Sequence, residues 1–181
     1  MKAKVSQIEL EAFCHATEDE DKVITALLNL VPKGLREKAK RKIKVSHLKG
    51  YHGNPIRILK LRLSKPREAE RTLTHILTSL ERDGVLYILN TLEERVEGSH
   101  LYIRVDKQAA YLGSPRPLAG DDVVRVKATL SGATSPEDFA EYLESVVRPG
   151  GKDARSNKAG AIDRRGEAQR SRRTRKLLGG V

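Results

Sequence analysis

Apolar residues recur along this chain at two different spacings, and the order in which those spacings alternate most restricts its fold. From Val5 to Ala16, Ile8, Leu10 and Ala12 alternate with Gln7, Glu9 and Glu11, the period of two of a half-buried strand. Thr17-Glu18-Asp19-Glu20 has the form of a capping box opening a helix. Val23, Ile24, Leu27, Leu28 and Val31 then follow at helical spacing until Pro32 ends it. Ile43–Lys49 and Ile56–Lys65 read as strands, joined across Gly50-Tyr51-His52-Gly53-Asn54-Pro55, whose Gly and Asn-Pro content marks a hairpin connection. In the second strand Leu59, Leu61 and Leu63 share one face, while Lys60, Arg62 and Ser64 share the other. Pro66 suits the first turn of a helix with the stripe Leu73, Ile76, Leu77 and Leu80. Asp83-Gly84 interrupts that pattern and Val85, Ile88, Leu89, Leu92 and Val96 resume it, which predicts two consecutive helices.

Gly98-Ser99 turns the chain into a strand over His100–Asp106. A helical turn follows at Lys107–Leu112, with Asp106 as cap and Gly113 as stop. Ser114-Pro115-Arg116-Pro117 is loop, Val123–Leu130 a further strand, and Ser135-Pro136-Glu137-Asp138 starts a last helix that ends near Val147. The order is therefore strand, helix, two strands, two helices, two strands, helix. It predicts an α+β fold, a mostly antiparallel sheet with helices packed on one face and the open face left as the binding surface. With aromatics at 4% and no Trp, the core has to be built from Leu, Ile, Val and Ala.

Periodicity stops at Pro149-Gly150-Gly151, and charge takes over. Residues 148–181 carry eleven Lys or Arg against three acids, a net of +8 out of +11 for the whole chain. A segment of this kind buries too little apolar area to offset its ordering entropy. We therefore expect two parts: an α+β RNA-binding domain over 1–147 and a basic, intrinsically disordered tail over 148–181. A nearly balanced domain with a cationic appendage is the electrostatic footprint of a polyanion binder, gaining affinity through counterion release.

Little points to catalysis. His15, His47, His52, His75 and His100 are scattered among different elements, none at a metal-ligand spacing, and one Cys cannot supply a zinc site. No phosphate-cradling glycine loop, nucleophile elbow or HExxH pattern occurs. The acids Glu18 to Asp21 are explained by the positive end of a helix dipole. Asp121-Asp122 would point to opposite faces of a strand, so a metal-dependent nuclease is the least favoured reading. No cofactor or metal is expected. Cys14 reads as a small buried hydrophobe in a reducing cytoplasm, and no apolar run reaches the ~20 residues of a membrane span. No signal-peptide pattern opens the chain, so the expected setting is soluble and cytoplasmic, with no membrane partner.

Basic residues form the one constellation above background. The first group is Lys33, Arg36, Lys38, Lys40, Arg41, Lys42 and Lys44, with Glu37 the lone acid. The second includes Arg57, Lys60, Arg62, Lys65 and Arg67, and the third is densest at Arg170, Arg172, Arg173, Arg175 and Lys176. The plainer reading of the first two groups is an ordinary charged surface. With so few aromatics, stacking is a minor contribution, and phosphate and 2′-hydroxyl contacts to structured RNA are expected instead.

Three short motifs carry a resemblance. Ala16-Thr17-Glu18-Asp19, Gly53-Asn54-Pro55-Ile56 and, most specific, Asp106-Lys107-Gln108-Ala109-Ala110-Tyr111-Leu112-Gly113 resemble an archaeal RNA-binding family. That family has a ribosomal protein L5-like fold and is described as a predicted exosome subunit. The resemblance spans roughly residues 5–147. It implies a non-catalytic protein of RNA processing or ribosome biology, with rRNA or another structured RNA, an exosome or the large ribosomal subunit as partners. In the last motif Lys107, Gln108 and Tyr111 offer a cation, an amide and a stacking ring, while Ala109 and Ala110 permit close approach. The alternative to an RNA-reading domain is a protein-interaction adaptor whose tail alone recruits RNA.

Overall fold

The computed structural model describes residues 3–50 and 53–148, so the basic segment from 149 onward, with its Arg170–Lys176 cluster, lies outside the described residues. Strands run over Lys4–Cys14 (β1), Lys44–Lys49 (β2), Pro55–Leu63 (β3), Val96–Glu97 (β4), His100–Asp106 (β5) and Val123–Ser131 (β6). Helices run over Glu20–Asn29 (α1), Arg36–Lys40 (α2), Pro66–Ser79 (α3), Arg82–Asn90 (α4), Leu92–Arg95 (α5), Lys107–Tyr111 (α6) and Pro136–Val147 (α7). The strands form one sheet in the order β2-β3-β1-β6-β5-β4, and every pairing is antiparallel. This is the α+β architecture the spacings predict.

β1 lies at the centre. Ile8, Leu10, Ala12 and Cys14 are buried on the helix-covered face, together with Leu59, Leu61 and Leu63 of β3 and Val124, Val126 and Ala128 of β6. Val5 joins them because the register slips between Val5 and Gln7 in the pairing with β6, and the extra residue restores the face a strict alternation would lose. α3 packs Leu73, Ile76 and Leu77 under this layer, and each such side chain contributes roughly 1.5–3 kcal/mol by leaving water. Phe139 of α7 is the one aromatic among the largest fully buried side chains, so the core is aliphatic as the composition requires.

Several element boundaries differ from the sequence reading, each for a physical reason. Asp19, not Thr17, caps α1, its carboxylate accepting from the Asp21 N–H at 3.0 Å. Only Glu20 and Asp21 lie in the first turn, so the dipole does not explain all four acids. The break after α3 falls at Leu80-Glu81 rather than at Gly84, which sits within the first turn of α4. Glycine is needed there for space: a Cβ would meet Pro117 Cδ at 2.9 Å. Beyond α4 the pattern divides again into the single turn of α5 and the two-residue strand β4, where one continuous helix is predicted. By contrast, Ser135 and Asp138 form the expected capping box of α7, and Gly113 ends the α6 segment with φ of 81°.

Candidate nucleic-acid interface

Strand register decides which side chains share the uncovered face of the sheet. Glu9 stands opposite Arg62 on one side and Lys127 on the other, with Tyr102 beyond Lys127. In the next row Lys44, Lys60, Glu11, Arg125 and Arg104 follow one another across five strands. Cations predominate, but the two β1 carboxylates stand in their midst. Lys60 Nζ lies 2.9 Å from Glu11 and 3.5 Å from Glu9, and the Glu11 hydrogen bond holds the Lys60 pKa above its ordinary value. Arg62 donates to Gln7 Oε1 at 2.7 Å. Sequence reading saw the cations of β3 and the acids of β1 separately; nothing in the one-dimensional pattern told that these strands are neighbours.

Two concavities share Glu9 on this face. The first lies between the chain leading from α2 into β2 and the end of β3, and its cations are Arg41, Lys42, Lys44, Lys60, Arg62 and Lys65, with Glu9 the lone carboxylate. It draws together residues from both predicted basic groups. Not every member of the first group faces it free. Arg36 turns its guanidinium onto the end of α1, donating to Val31 O at 3.0 Å and Asn29 O at 3.4 Å. Lys38 and Lys42 both hold Glu68 at the start of α3, and their hydrogen bonds keep that carboxyl below its usual range. Lys33, Lys40, Arg41 and Lys44 are exposed, and among the described residues they form no ion pair.

The second concavity lies where α4 and α5 approach β5 and β6. Tyr87, Arg95, Tyr102, Arg104, Leu118, Arg125 and Lys127 line it with Glu9, Glu11, Glu94 and Glu97. Its cations sit against rings: Arg95 over Tyr87 at 5.0 Å and Lys127 over Tyr102 at 5.4 Å. Arg125 likewise lies 4.8 Å from the Phe13 ring on the same face. None of Arg104, Arg125, Lys127 and Tyr102 was singled out from the sequence. Their alternation with buried residues along β5 and β6 was the signal.

The Asp106–Gly113 motif lies elsewhere and builds the fold. Lys107 is only 6% exposed; its Nζ donates to Phe13 O at 3.0 Å and meets Glu18 and Asp122, each at 2.6 Å. Burial disfavours its charge, but the Asp122 and Glu18 carboxylates outweigh this and hold its pKa above the ordinary lysine value. Asp106 caps α6 through the N–H groups of Gln108 and Ala109 and pairs with Arg116 at 2.7 Å. Burial opposes its ionisation, yet Arg116 and those N–H donors win and lower its pKa. Ala109 and Ala110 are buried where α6 meets α1, Tyr111 is half-buried against the core, and Gln108 alone of the three polar positions is exposed. The acids considered for a nuclease are dispersed: Glu18 and Asp122 are bound to Lys107, and among the described residues no group of three His, Cys, Asp or Glu gathers as a metal site. No helix among the described residues is long and apolar enough to cross a membrane.

A family model described as RNA binding matches residues 7–130, from within β1 to near the end of β6. An uncharacterized protein of Methanocaldococcus jannaschii is 38% identical over 145 residues, 79% of this chain and 95% of that protein. An RNA-binding protein of Pyrococcus abyssi is 35% identical over 148 residues, 81% of this chain and 92% of that one. A crystal structure from Archaeoglobus fulgidus superposes with a TM-score of 0.65 at 33% identity, covering 79% of this chain and 99% of that chain.

Proposed function

This chain belongs to the RNA-binding family, and from that premise we propose that it grips structured RNA by its phosphates in the basic cleft between the start of β2 and the end of β3, without catalysing a reaction on it. The observation that carries this reading is the gathering of six cations in one open cleft: Lys60 pairs with Glu9 and Glu11 and Lys42 with Glu68, while Arg41, Lys44, Arg62 and Lys65 hold no carboxylate among the described residues. Such a site attracts a polyanion and releases its counterions. Lys33, Lys40 and Arg41 extend the surface along α2, while Lys38 and Lys42 sit at its margin with their charge shared with Glu68. Arg36 and Lys107 are left out, being committed to the fold. Gln108 and Tyr111 lie apart from the cleft lining. Residues 148–181 act as a cationic arm to the domain of 1–147, adding affinity through Arg170, Arg172, Arg173, Arg175 and Lys176 wherever the domain docks. The setting we propose is the archaeal cytoplasm, in RNA processing by an exosome-like assembly or on the large ribosomal subunit, with rRNA or another structured RNA as ligand. The resemblance stated from the sequence motifs supports that finer setting.

The test is double charge reversal, Arg41→Glu with Lys44→Glu, in the full chain, titrated with an rRNA hairpin across a salt series. Neither residue holds an ion pair among the described residues, so the fold should stand. Loss of two duplex phosphate contacts flattens the log–log salt slope by about 2 and weakens binding roughly tenfold at low salt. Unchanged affinity and slope would sink the cleft as the reader. If removing residues 149–181 then abolished binding, the adaptor reading would take its place.

A further inference from the structure

The second concavity has a different chemistry from the cleft, and from it we infer that the protein takes an unpaired base of its RNA, stacked on Tyr102, next to a helix whose phosphates the cleft holds. The inference rests on the cleft being a phosphate site, as proposed above. Four carboxylates stand among the four cations of this groove, two of them shared with Lys60, so it attracts a run of phosphates less than the cleft does. Carboxylates accept hydrogen bonds from base amino groups, which a phosphate cannot donate. Tyrosine rings enter from both walls, Tyr87 from α4 and Tyr102 from β5, with Leu118 adding apolar surface. A π face beside apolar surface and flanking cations is the chemistry that receives an unstacked base. Lys127, 5.4 Å from the Tyr102 ring, is a flexible cation that can move to the backbone phosphate while a base takes its place.

Register fixes how the two sites relate. Arg62, Glu9, Lys127 and Tyr102 lie in one row across four neighbouring strands. Three strand spacings put the backbone of Tyr102 roughly 14 Å from that of Arg62. A strand leaving the end of an RNA helix covers that span within a few nucleotides. The ligand class is thus RNA with a junction between helix and single strand, not a continuous duplex.

The experiment compares full-length protein binding to a blunt RNA duplex and to the same duplex carrying a short unpaired extension at either end. The extended RNA binds about tenfold tighter, and because stacking supplies the gain it persists as salt weakens both complexes. Tyr102→Ala removes the gain and leaves blunt-duplex affinity unchanged, while Tyr102→Phe keeps it; thermal melts confirm that both variants are folded. Equal affinity for the two RNAs, a gain that vanishes with salt, or a gain that survives Tyr102→Ala would each overturn the inference while leaving the phosphate cleft intact. Failure to bind either RNA would overturn the cleft as well.

Discussion

Lys107 sets the problem at the scale of a single residue. In sequence it looks like an RNA-contacting cation within a short polar motif, and in the structure it is a buried tie between the end of β1, the turn at Glu18 and the start of β6. Replacing it with Met keeps most of the volume and strands Glu18 without its cation. We expect a loss of about 3 kcal/mol, the low end for breaking a buried pair because Asp122 remains largely in water. Urea unfolding measures the loss, and RNA affinity per folded molecule should not change. The acids of this region set the pH response. Glu18 and Asp106 have folded pKa values below their unfolded ones, so their contribution is full above about pH 4 and is lost as pH falls through the lowered values. Lys107 has the opposite sign: its contribution holds through neutral pH and disappears only as pH rises through its raised value. Asp106→Asn keeps an oxygen to cap α6 but removes the titration and the charge for Arg116. Its acid unfolding curve should be flatter than that of the parent, and an unchanged acid limb would place the titrating group elsewhere.

At the scale of elements, close approach explains what periodicity misplaced. Gly84 reads as a helix breaker, yet it lies within α4, pressed against Pro117 of the loop that returns beside β5. Gly84→Ala gains about 1 kcal/mol of helix propensity and loses more to overpacking against a rigid ring. A net loss of about 1 kcal/mol in thermal melts is expected. Gly34→Ala is the control, because no heavy atom lies within 4 Å of its added Cβ and it should be neutral or slightly stabilising. The longer strands β1, β3, β5 and β6 were legible because their neighbours impose one buried face, as at Leu59, Leu61 and Leu63. The Glu18 side chain was not, since its partner Lys107 is far along the chain. The cations of the proposed cleft were named from the sequence in two separate basic groups, but that they share one concavity was not legible, because no single element contains it. The segment from Arg41 to Lys44, at the start of β2, contributes one wall and the end of β3 the other, and only pairing in the sheet brings them together.

The whole molecule is read by salt. If six cations beyond residue 147 meet phosphates on single-stranded RNA, the full chain should show a log–log slope steeper by about 4 than the 1–147 truncation. Selective binding retained by 1–147 assigns reading to the sheet face and amplification to the arm. Equal slopes would mean that the segment adds no phosphate contacts. The family match ends at residue 130, so it covers the strands of the proposed cleft and none of the arm.

What the sequence by itself determined is the type and order of most elements, which neighbours along the chain govern. Alternation marks the faces of β1, β3, β5 and β6, the Ser135-Pro136 and Asp106 caps mark helix starts, and the shift to Gly, Ser and Arg marks where periodicity stops. Tertiary structure alone decided which charges meet. Strand order places Glu9 and Glu11 between the cations of β3 and β6, and chain reversal brings Glu18 and Asp122 to Lys107. Charge interacts through space, at distances of a few ångströms, and is indifferent to sequence separation. A count of basic residues therefore predicts that a polyanion binds, but only the folded sheet divides those residues into struts for the core and cations left exposed on its surface.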